Sequence, residues 1–306
     1  MKRRSDLAGA LGFALALLSP LAAQAYCRTA NCPTHEGAWQ VCVPANDDDC
    51  GTKLFWANRC VGFTLQKDAS AQVTLAEAET TFKAAFDTWM NADCGSGKHP
   101  SVTVNYMGTV DCHVQEYNKD KDIGNANVIM FRDDTWPYEG TANILALTTV
   151  TYNLDTSEIY DADMEVNTAD IKSFTTGDSN VQYDLLSVAT HETGHFLGLA
   201  HSHSTDATMY TDYKQGSVSL RDLTEDDTSA ICVTYPPDKP ASADCDDTPR
   251  HGFSPKCGAD QTPGEAQQKS CSVAATLGST QGTGSAGVAG IGLLAALATM
   301  MRKRRR

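Results

Sequence analysis

Basic residues are scarce in this chain except at its two ends. The 306 residues contain 24 Lys and Arg against 38 Asp and Glu, a formal net charge of -14. Eight of the basic residues but only one acid, Asp6, lie in 1–25 and 302–306, which leaves 16 basic and 37 acidic residues between those segments. A surface of this sign repels nucleic acid, so we expect no nucleic-acid partner. It suits solubility or a hard cation.

The N-terminal segment lacks charge over 7–21, where the residues are almost all apolar. A basic triplet at 2–4 precedes this run and Ala-Gln-Ala at 23–25 follows it. The order basic, apolar, small is typical of a secretory signal and disfavours the alternative of a short buried helix. The sequence therefore predicts export, with a mature chain that begins near Tyr26.

The C-terminal segment contains no charged residue from Cys271 to Met301 and then ends in five basic residues at 302–306. Its most apolar part, 286–301, is somewhat short of the roughly 20 residues of a spanning helix, but the basic end fits the positive-inside tendency. The segment resembles the bacterial MYXO-CTERM sorting tails. That resemblance implies processing and anchoring at Cys271, a sorting protease as partner, and a cell-surface, outer-membrane or secreted location. A plain membrane anchor is the alternative.

No Cys-x-x-Cys pair occurs among the eleven cysteines, which argues against a cysteine zinc knuckle. An exported chain meets oxidising conditions, so disulfides are expected. With Cys271 set aside, ten cysteines remain, enough for five bridges whose connectivity the sequence leaves open. A local loop between Cys245 and Cys257 is one option.

Composition divides the chain into five parts and reveals no internal repeat. A single α/β domain is expected over 54–235, because helical and strand patterns alternate there. The other parts are the signal at 1–25, a cysteine-rich extension at 26–53, a linker rich in Pro, Asp and Gly at 236–270, and the tail at 271–306.

Hydrophobic periodicity places the regular elements of the domain. A capping box formed by Thr74 and Glu77 starts a helix over about 75–91, and a third helix begins at Thr224 with Asp227 as its capping partner. A second helix is expected over about 184–197. Alternating β-formers predict strands at 60–66, 102–106, 127–131 and 144–152.

The segment from His191 to His201 reads HETGHFLGLAH and carries the chemistry. Residues four apart share a helix face, so His191 and His195 can ligate one ion with Glu192 beside them. A turn at Gly198 ends the helix and brings in His201, which leaves a catalytic zinc one open position. Glu192 then acts as general base towards the zinc-activated water.

Two other interpretations of this motif are weaker. HExxH alone arises by chance in helices, but the glycine and the third histidine at these offsets make coincidence improbable. His203 is the rival third ligand, and its two extra residues fit the turn poorly. We expect it to be exposed or to contact a ligand rather than the metal.

These residues resemble the metzincin metalloproteases and, among them, the matrixins. The resemblance implies a twisted mixed sheet with one antiparallel edge strand and three main helices. It implies that Met209 is the Met-turn residue beneath the zinc, that Ser202 follows the third ligand as in matrixins, and that Tyr213 lines the substrate wall. Thr211 stands where matrixins have Pro, so the wall differs in shape.

Three further features follow from the same resemblance. The edge strand that aligns substrate includes Leu145 and Ala146, and Leu147 replaces a histidine of a second, structural zinc, which we therefore do not expect. An acidic run from Asp155 resembles the calcium-binding stretch, although a solvated acidic loop fits equally well. The sequence contains no PRCGxPD cysteine switch, so any latency must have another cause. The candidate calcium ligands are Asp161, Asp163 and Glu165.

The sequence thus predicts an exported zinc endopeptidase that acts on a protein or peptide substrate. A catalytically silent surface binding or adhesion module that keeps zinc for stability is the first alternative, and Glu192 argues against it. A zinc hydrolase that cleaves a non-peptide amide is the second.

Overall fold

The computed structural model describes residues 26–30, 52–138, 143–239, 245–258 and 271–277, the last range as backbone only. The predicted signal at 1–25, most of the N-terminal extension and the apolar run at 286–301 lie outside these residues. Within the described ranges, no helix has the length and apolar character that crossing a membrane requires.

The described part of the chain contains three α-helices and eleven strands. The helices are α1 Leu75–Met90, α2 Leu185–Phe196 and α3 Glu225–Thr234. The strands are β1 Cys27–Arg28, β2 Cys60–Gln66, β3 Thr103–Val110, β4 Val128–Phe131, β5 Ile144–Tyr152, β6 Ile159–Val166, β7 Phe174–Thr175, β8 Tyr183–Asp184, β9 Leu199–Ala200, β10 Asp212–Tyr213 and β11 Cys271–Leu277.

The main sheet has the order β3-β2-β4-β6-β5-β11-β10. Strands β3, β2, β4 and β6 run parallel to one another, and β5 runs antiparallel to β6. This confirms the predicted mixed sheet with an antiparallel strand and three main helices. The outer edge of β5 is covered, because β11 pairs with it antiparallel and β10 pairs with β11. The sequence patterns did not predict β11.

Helix α1 forms as predicted because both halves of its capping box are present. The Thr74 hydroxyl accepts from the N–H of Glu77, and the Glu77 carboxylate accepts from the N–H of Thr74. The apolar face of α1, which includes Phe82 and Phe86, is buried in the core. At its last turn the Trp89 indole N–H donates to the Thr190 carbonyl oxygen at 2.8 Å, which joins α1 to α2.

Helix α2 is almost entirely buried: of its twelve residues, eleven are buried and Leu186 is partly exposed. Its N-cap is Asp184, whose carboxylate accepts from the N–H of Ser187 at 2.8 Å. The same buried carboxylate takes two hydrogen bonds from the Arg221 guanidinium, at 2.8 and 2.6 Å. This bidentate pair compensates the buried charge and thereby holds the start of the helix inside the protein.

The last three acids of the run, Asp161, Asp163 and Glu165, lie in strand β6, so the alternative of a solvated acidic loop is wrong for them, whereas Asp155 is exposed in the turn before the strand. The three acids occupy every second position of the strand, so their side chains share one face, and all are buried. Carboxylates are seldom buried without partners. The partners come from distant segments that a local pattern does not reveal: the Arg132 guanidinium pairs with Glu165, and the backbone N–H of Glu116 donates to Asp163.

Three disulfides join distant parts of the described chain: Cys60–Cys245, Cys94–Cys232 and Cys112–Cys257. The suggested local bridge between Cys245 and Cys257 is therefore wrong. The segment 245–258, which lies in the predicted linker, is fastened to the domain at two points instead. The Arg250 guanidinium also stacks 3.8 Å from the centre of the Tyr160 ring.

We predict that Trp89→Phe lowers the free energy of unfolding by about 1–3 kcal/mol, because it removes the indole donor and leaves the buried Thr190 carbonyl without it. Lys83→Ala, on the exposed face of the same helix, is the control and should change it by less than about 0.5 kcal/mol. Denaturant titration measures both. Equal effects of the two substitutions would contradict the proposed helix contact.

Candidate metal centre

Helix α2 places two of the predicted ligands on one face, one turn apart. The Nε2 atoms of His191 and His195 are 3.1 Å apart, and both rings are buried. Glu192 follows His191 directly and is also buried. The predicted helix over about 184–197 is confirmed, and with it the shared orientation of the two imidazoles.

The third histidine joins them because the chain turns sharply at Gly198, whose φ is +89°. A Cβ at this position would lie 2.8 Å from the Leu54 carbonyl oxygen, so only glycine fits both the turn and the close approach. Beyond the turn, His201 directs its Nε2 to 3.2 Å from the Nε2 of His195. Three imidazoles therefore converge as the sequence predicted, and His203 is exposed.

Backbone carbonyls fix the tautomers of the two helical ligands. The Nδ1 of His191 lies 2.7 Å from the Thr208 carbonyl oxygen, and the Nδ1 of His195 lies 2.9 Å from that of Leu199. A carbonyl oxygen only accepts, so each Nδ1 carries the proton and each Nε2 presents a lone pair to the centre of the cluster.

Burial keeps these imidazoles neutral. Desolvation lowers the pKa of His191 to about 4, against a weaker opposing effect of its hydrogen bond to Thr208. Desolvation, with the neighbouring His191 and His201, also lowers the pKa of His195 well below its usual value. Neutral imidazole is the form that ligates a metal, so at pH 7 the histidines need not lose a proton to bind one.

The donor set fits zinc. Tetrahedral zinc with nitrogen ligands at about 2.0–2.1 Å separates those nitrogens by roughly 3.3 Å, close to the 3.1 and 3.2 Å observed here. His191, His195 and His201 form one of two compact groups of possible ligands among the described residues. The other contains Cys112 and Cys257, which are joined in a disulfide and so offer no thiolate.

Glu192 is oriented by a residue that the sequence analysis missed. The hydroxyl of Thr148, on β5, donates to the Glu192 Oε2 at 2.6 Å, and both residues are fully buried. The two positions are 44 residues apart, so no local pattern could have linked them. The hydrogen bond holds the carboxylate beside the histidines.

Met209 lies against the helix that carries the ligands. A Cβ on Gly194 would lie 2.3 Å from the Met209 sulfur, so the glycine inside the HExxH segment is what lets the turn pack this closely. The Asp227 carboxylate accepts from the N–H groups of Thr208 and Met209, at 2.8 and 3.0 Å. Asp227 was predicted only as a capping partner of α3, and it fulfils both roles.

The predicted substrate residues lie on the two strands that flank this centre. Leu145 and Ala146 are in β5, and Tyr213 is in β10. The Tyr213 ring is buried, and its hydroxyl donates to the Ser217 carbonyl at 2.7 Å and accepts from the Asp184 N–H at 2.8 Å. These bonds fix β10 to the start of α2. A role of the three residues in substrate binding stays a prediction.

The candidate calcium ligands differ in their surroundings. Glu165 is engaged by the Arg132 guanidinium and the Tyr138 hydroxyl, and Asp163 accepts backbone N–H groups at 2.7 and 2.9 Å. Neither oxygen of Asp161 has a hydrogen-bond partner among the described residues. Burial, with Asp163 and Glu116 nearby, raises the pKa of Asp161 well above its usual value.

Comparison with known proteins agrees with this geometry. The family model of the matrixins, peptidase family M10, matches residues 55–236, more than half of the chain. The chain belongs to the matrixin family. Metalloendoproteinase 1-MMP of Arabidopsis thaliana is 30% identical over 169 residues, which are 54% of this chain and 40% of that protein.

Human neutrophil collagenase is 27% identical over 170 residues, which are 55% of this chain and 31% of that protein. Human matrix metalloproteinase-16 is 26% identical over 187 residues, 60% of this chain and 28% of that protein. The chain therefore spans less than half the length of each of these relatives. The match to the matrixin family model at 55–236 includes the three histidines, Glu192 and Met209.

We predict that His201→Ala lowers zinc affinity more than about 100-fold, because it removes a direct ligand. Loss of a residue that only hydrogen-bonds a ligand typically lowers metal affinity by roughly 10–100-fold. His203→Ala is the matched control, since it deletes an exposed imidazole two residues away. Metal content after dialysis against a competing chelator measures the difference. Equal zinc retention by the two variants would exclude His201 as a ligand.

Proposed function

We propose that this matrixin domain is a zinc-dependent endopeptidase that hydrolyses peptide bonds with Glu192 as general base. The observation that carries the proposal is the convergence of three buried imidazoles beside a buried carboxylate that Thr148 orients. Three protein ligands leave a tetrahedral ion one open position, which is the arrangement of catalytic rather than structural zinc sites.

A zinc ion held by His191, His195 and His201 would supply a Lewis acid that polarises the peptide carbonyl and would lower the pKa of bound water to about 7. Glu192 accepts a proton from the attacking water as the new carbon–oxygen bond forms. It then delivers that proton to the leaving nitrogen as the carbon–nitrogen bond breaks. The Thr148 hydroxyl donates to Oε2 at 2.6 Å and lies 3.3 Å from the Glu192 carbonyl oxygen, so it fixes the direction of the carboxylate during both transfers.

The substrate is an extended protein or peptide segment. A substrate strand would pair with the outer edge of β5 beside Leu145 and Ala146, the edge that β11 covers in this structure, and β10, with Tyr213, would bound its other side. Backbone pairing of this kind aligns a peptide with little dependence on its side chains. It also favours peptides over the non-peptide amides of the alternative hydrolase.

A catalytically silent zinc-binding module is the alternative function. Such a module has no need of a carboxylate inside the metal centre, and burial of the Glu192 carboxylate without a chemical role costs free energy. The two functions differ in one measurable respect: both bind zinc, and only the endopeptidase hydrolyses peptides.

Calcium binding at Asp161 is a further part of the proposal. Asp161 is buried with two carboxylate oxygens that lack hydrogen-bond partners within the part of the chain that the structure describes, and there one oxygen of nearby Glu116 also lacks one. Calcium prefers carboxylate and backbone oxygens, and a bound cation compensates buried negative charge. Asp163 and Glu165 lie on the same strand, but their other hydrogen bonds give them a smaller share in this site.

Export and tail processing complete the proposed function. The charge pattern of 1–25 supports secretion, and the segment from Cys271 supports a membrane-retained tail that a sorting protease processes at that cysteine. The described disulfides Cys94–Cys232 and Cys112–Cys257 support an oxidising destination, since such bonds are rare in reducing compartments.

We predict that Glu192→Ala lowers kcat for a quenched fluorescent peptide by about 10²–10⁴-fold while zinc stays bound, because proton transfer is lost and the ligands remain. Removal of zinc with a chelator should abolish activity in the unmodified chain, and added zinc should restore it. His203→Ala serves as the control with normal turnover. Turnover that resists chelation, or full activity of Glu192→Ala, would refute the mechanism.

We predict that calcium stabilises the protein by about 2.7 kcal/mol at a hundredfold excess over its Kd, and that Asp161→Asn abolishes this response. Asp155→Asn is the control, because Asp155 is exposed in the turn before β6. Thermal unfolding with and without calcium measures all three proteins. An equal calcium response in Asp161→Asn would rule out this carboxylate as a ligand.

A further inference from the structure

The outer edge of β5 is occupied by a segment of the same chain. Strand β11 runs antiparallel to β5 in a register that pairs Cys271 with Val150 and Ala275 with Ala146. The segment reads CSVAATL and is uncharged, in a protein with a net charge of -14. An uncharged strand can lie on this edge without the repulsion that an acidic one would meet.

The opposite side of the same segment pairs with β10. Here the strands run parallel, and the register pairs Thr276 with Asp212 and Leu277 with Tyr213. Strand β11 is thus inserted between β5 and β10 and completes a continuous seven-stranded sheet. These two strands carry the residues predicted to bind substrate: Leu145, Ala146 and Tyr213.

The segment also passes beside the catalytic helix. Strand β11 approaches α2 closely, and the β5 residue opposite Val273 is Thr148. The Thr148 hydroxyl is the group that donates to Glu192. The register therefore places the middle of β11 next to the residue that orients the general base. The pairing shifts between Ala275 and Thr276, where the segment begins to pair with β10 as well.

We propose that, in the chain before any processing at Cys271, residues 271–277 occupy the substrate cleft of their own chain and compete there with other extended peptides. This inference rests on the proposed function only in identifying the cleft as the substrate site. A bound β11 uses the β5 and β10 backbone groups that another peptide would need, so the two cannot bind together. Since the segment is tethered, its effective concentration is of the order of millimolar, enough to favour a weak intramolecular contact.

Occupancy can be tested without catalysis by hydrogen exchange on the full chain in a Glu192→Ala background, where the tail cannot be cut by the protein itself. Ala274→Pro with Ala275→Pro removes two successive N–H groups of β11, which point to opposite sides, and so disrupts its pairing. The matched control is Ala266→Pro with Gln267→Pro, which introduces two successive prolines into the same tail but before the strand.

The amides of β5 that face β11 should exchange at least tenfold faster in the Ala274→Pro, Ala275→Pro variant than in the control, because they lose their hydrogen-bond acceptors. Amides of β5 that face β6 should be unchanged. Equal exchange in both proteins at every β5 amide would overturn the proposal, since it would mean that β11 does not cover this edge.

Competition is tested by kinetics with Glu192 present and a quenched fluorescent peptide as substrate. Removal of an intramolecular competitor raises the fraction of open clefts, so the β11 variant should show a KM about tenfold lower than the control with the same kcat. A merely structural role of β11 predicts no fall in KM. An unchanged KM, or a cut within 271–277 that depends on Glu192, would overturn the competitor role.

The same measurements separate this inference from the proposed function. Suppose that neither the β11 variant nor its control hydrolyses any peptide although zinc is bound, but that hydrogen exchange of the β5 amides still responds to the Ala274→Pro, Ala275→Pro substitutions. The endopeptidase proposal then fails and the proposed cleft occupancy stands. If both hydrolyse peptides with equal KM and equal exchange, the endopeptidase stands and the occupancy fails.

Discussion

The structure depends on keeping three imidazoles buried and directed at one point. Desolvation outweighs the opposing hydrogen bond to Thr208 and lowers the pKa of His191 to about 4, which supplies the neutral form. The carbonyls of Thr208 and Leu199 hold the Nδ1 protons of His191 and His195 and leave the Nε2 atoms of these two rings to face inward. Those carbonyls are in turn fixed by the turn at Gly198 and by Asp227 beneath the turn that contains Met209. The metal centre is thus a product of the backbone around it as much as of the histidines themselves.

Buried carboxylates support the same arrangement, and each is compensated in a different way. Asp184 starts α2 and is paired with Arg221, Asp227 anchors the Met-turn through backbone N–H groups, and Glu192 receives the Thr148 hydroxyl. Asp161 is the exception, because its oxygens lack hydrogen-bond partners among the described residues. A protein with this excess of acids places several of them inside, where fixed donors or a cation can offset their charge.

The cleft connects catalysis with regulation. An unpaired sheet edge binds any extended segment, which suits a peptidase and is a liability when no substrate is present. Strand β11 covers that edge in the described structure and lies between the same two strands that are predicted to hold substrate. The proposed role of β11 as an intramolecular competitor would make access to the cleft depend on displacement of this strand by another peptide.

The sequence by itself determined the features that depend on neighbours within a few residues. These are the capping box at Thr74, the HETGHFLGLAH spacing, the turn at Gly198 and the strand at 144–152. Tertiary structure decided what depends on distant pairs. The Thr148–Glu192 hydrogen bond spans 44 residues, the bridges of Cys60 and Cys112 reach Cys245 and Cys257, and the burial of the acids of β6 decided between two alternatives that the local sequence left open. The backbone pairing of 271–277 with β5 belongs to the same class, because periodicity records which residues share a face but not which distant strand they meet.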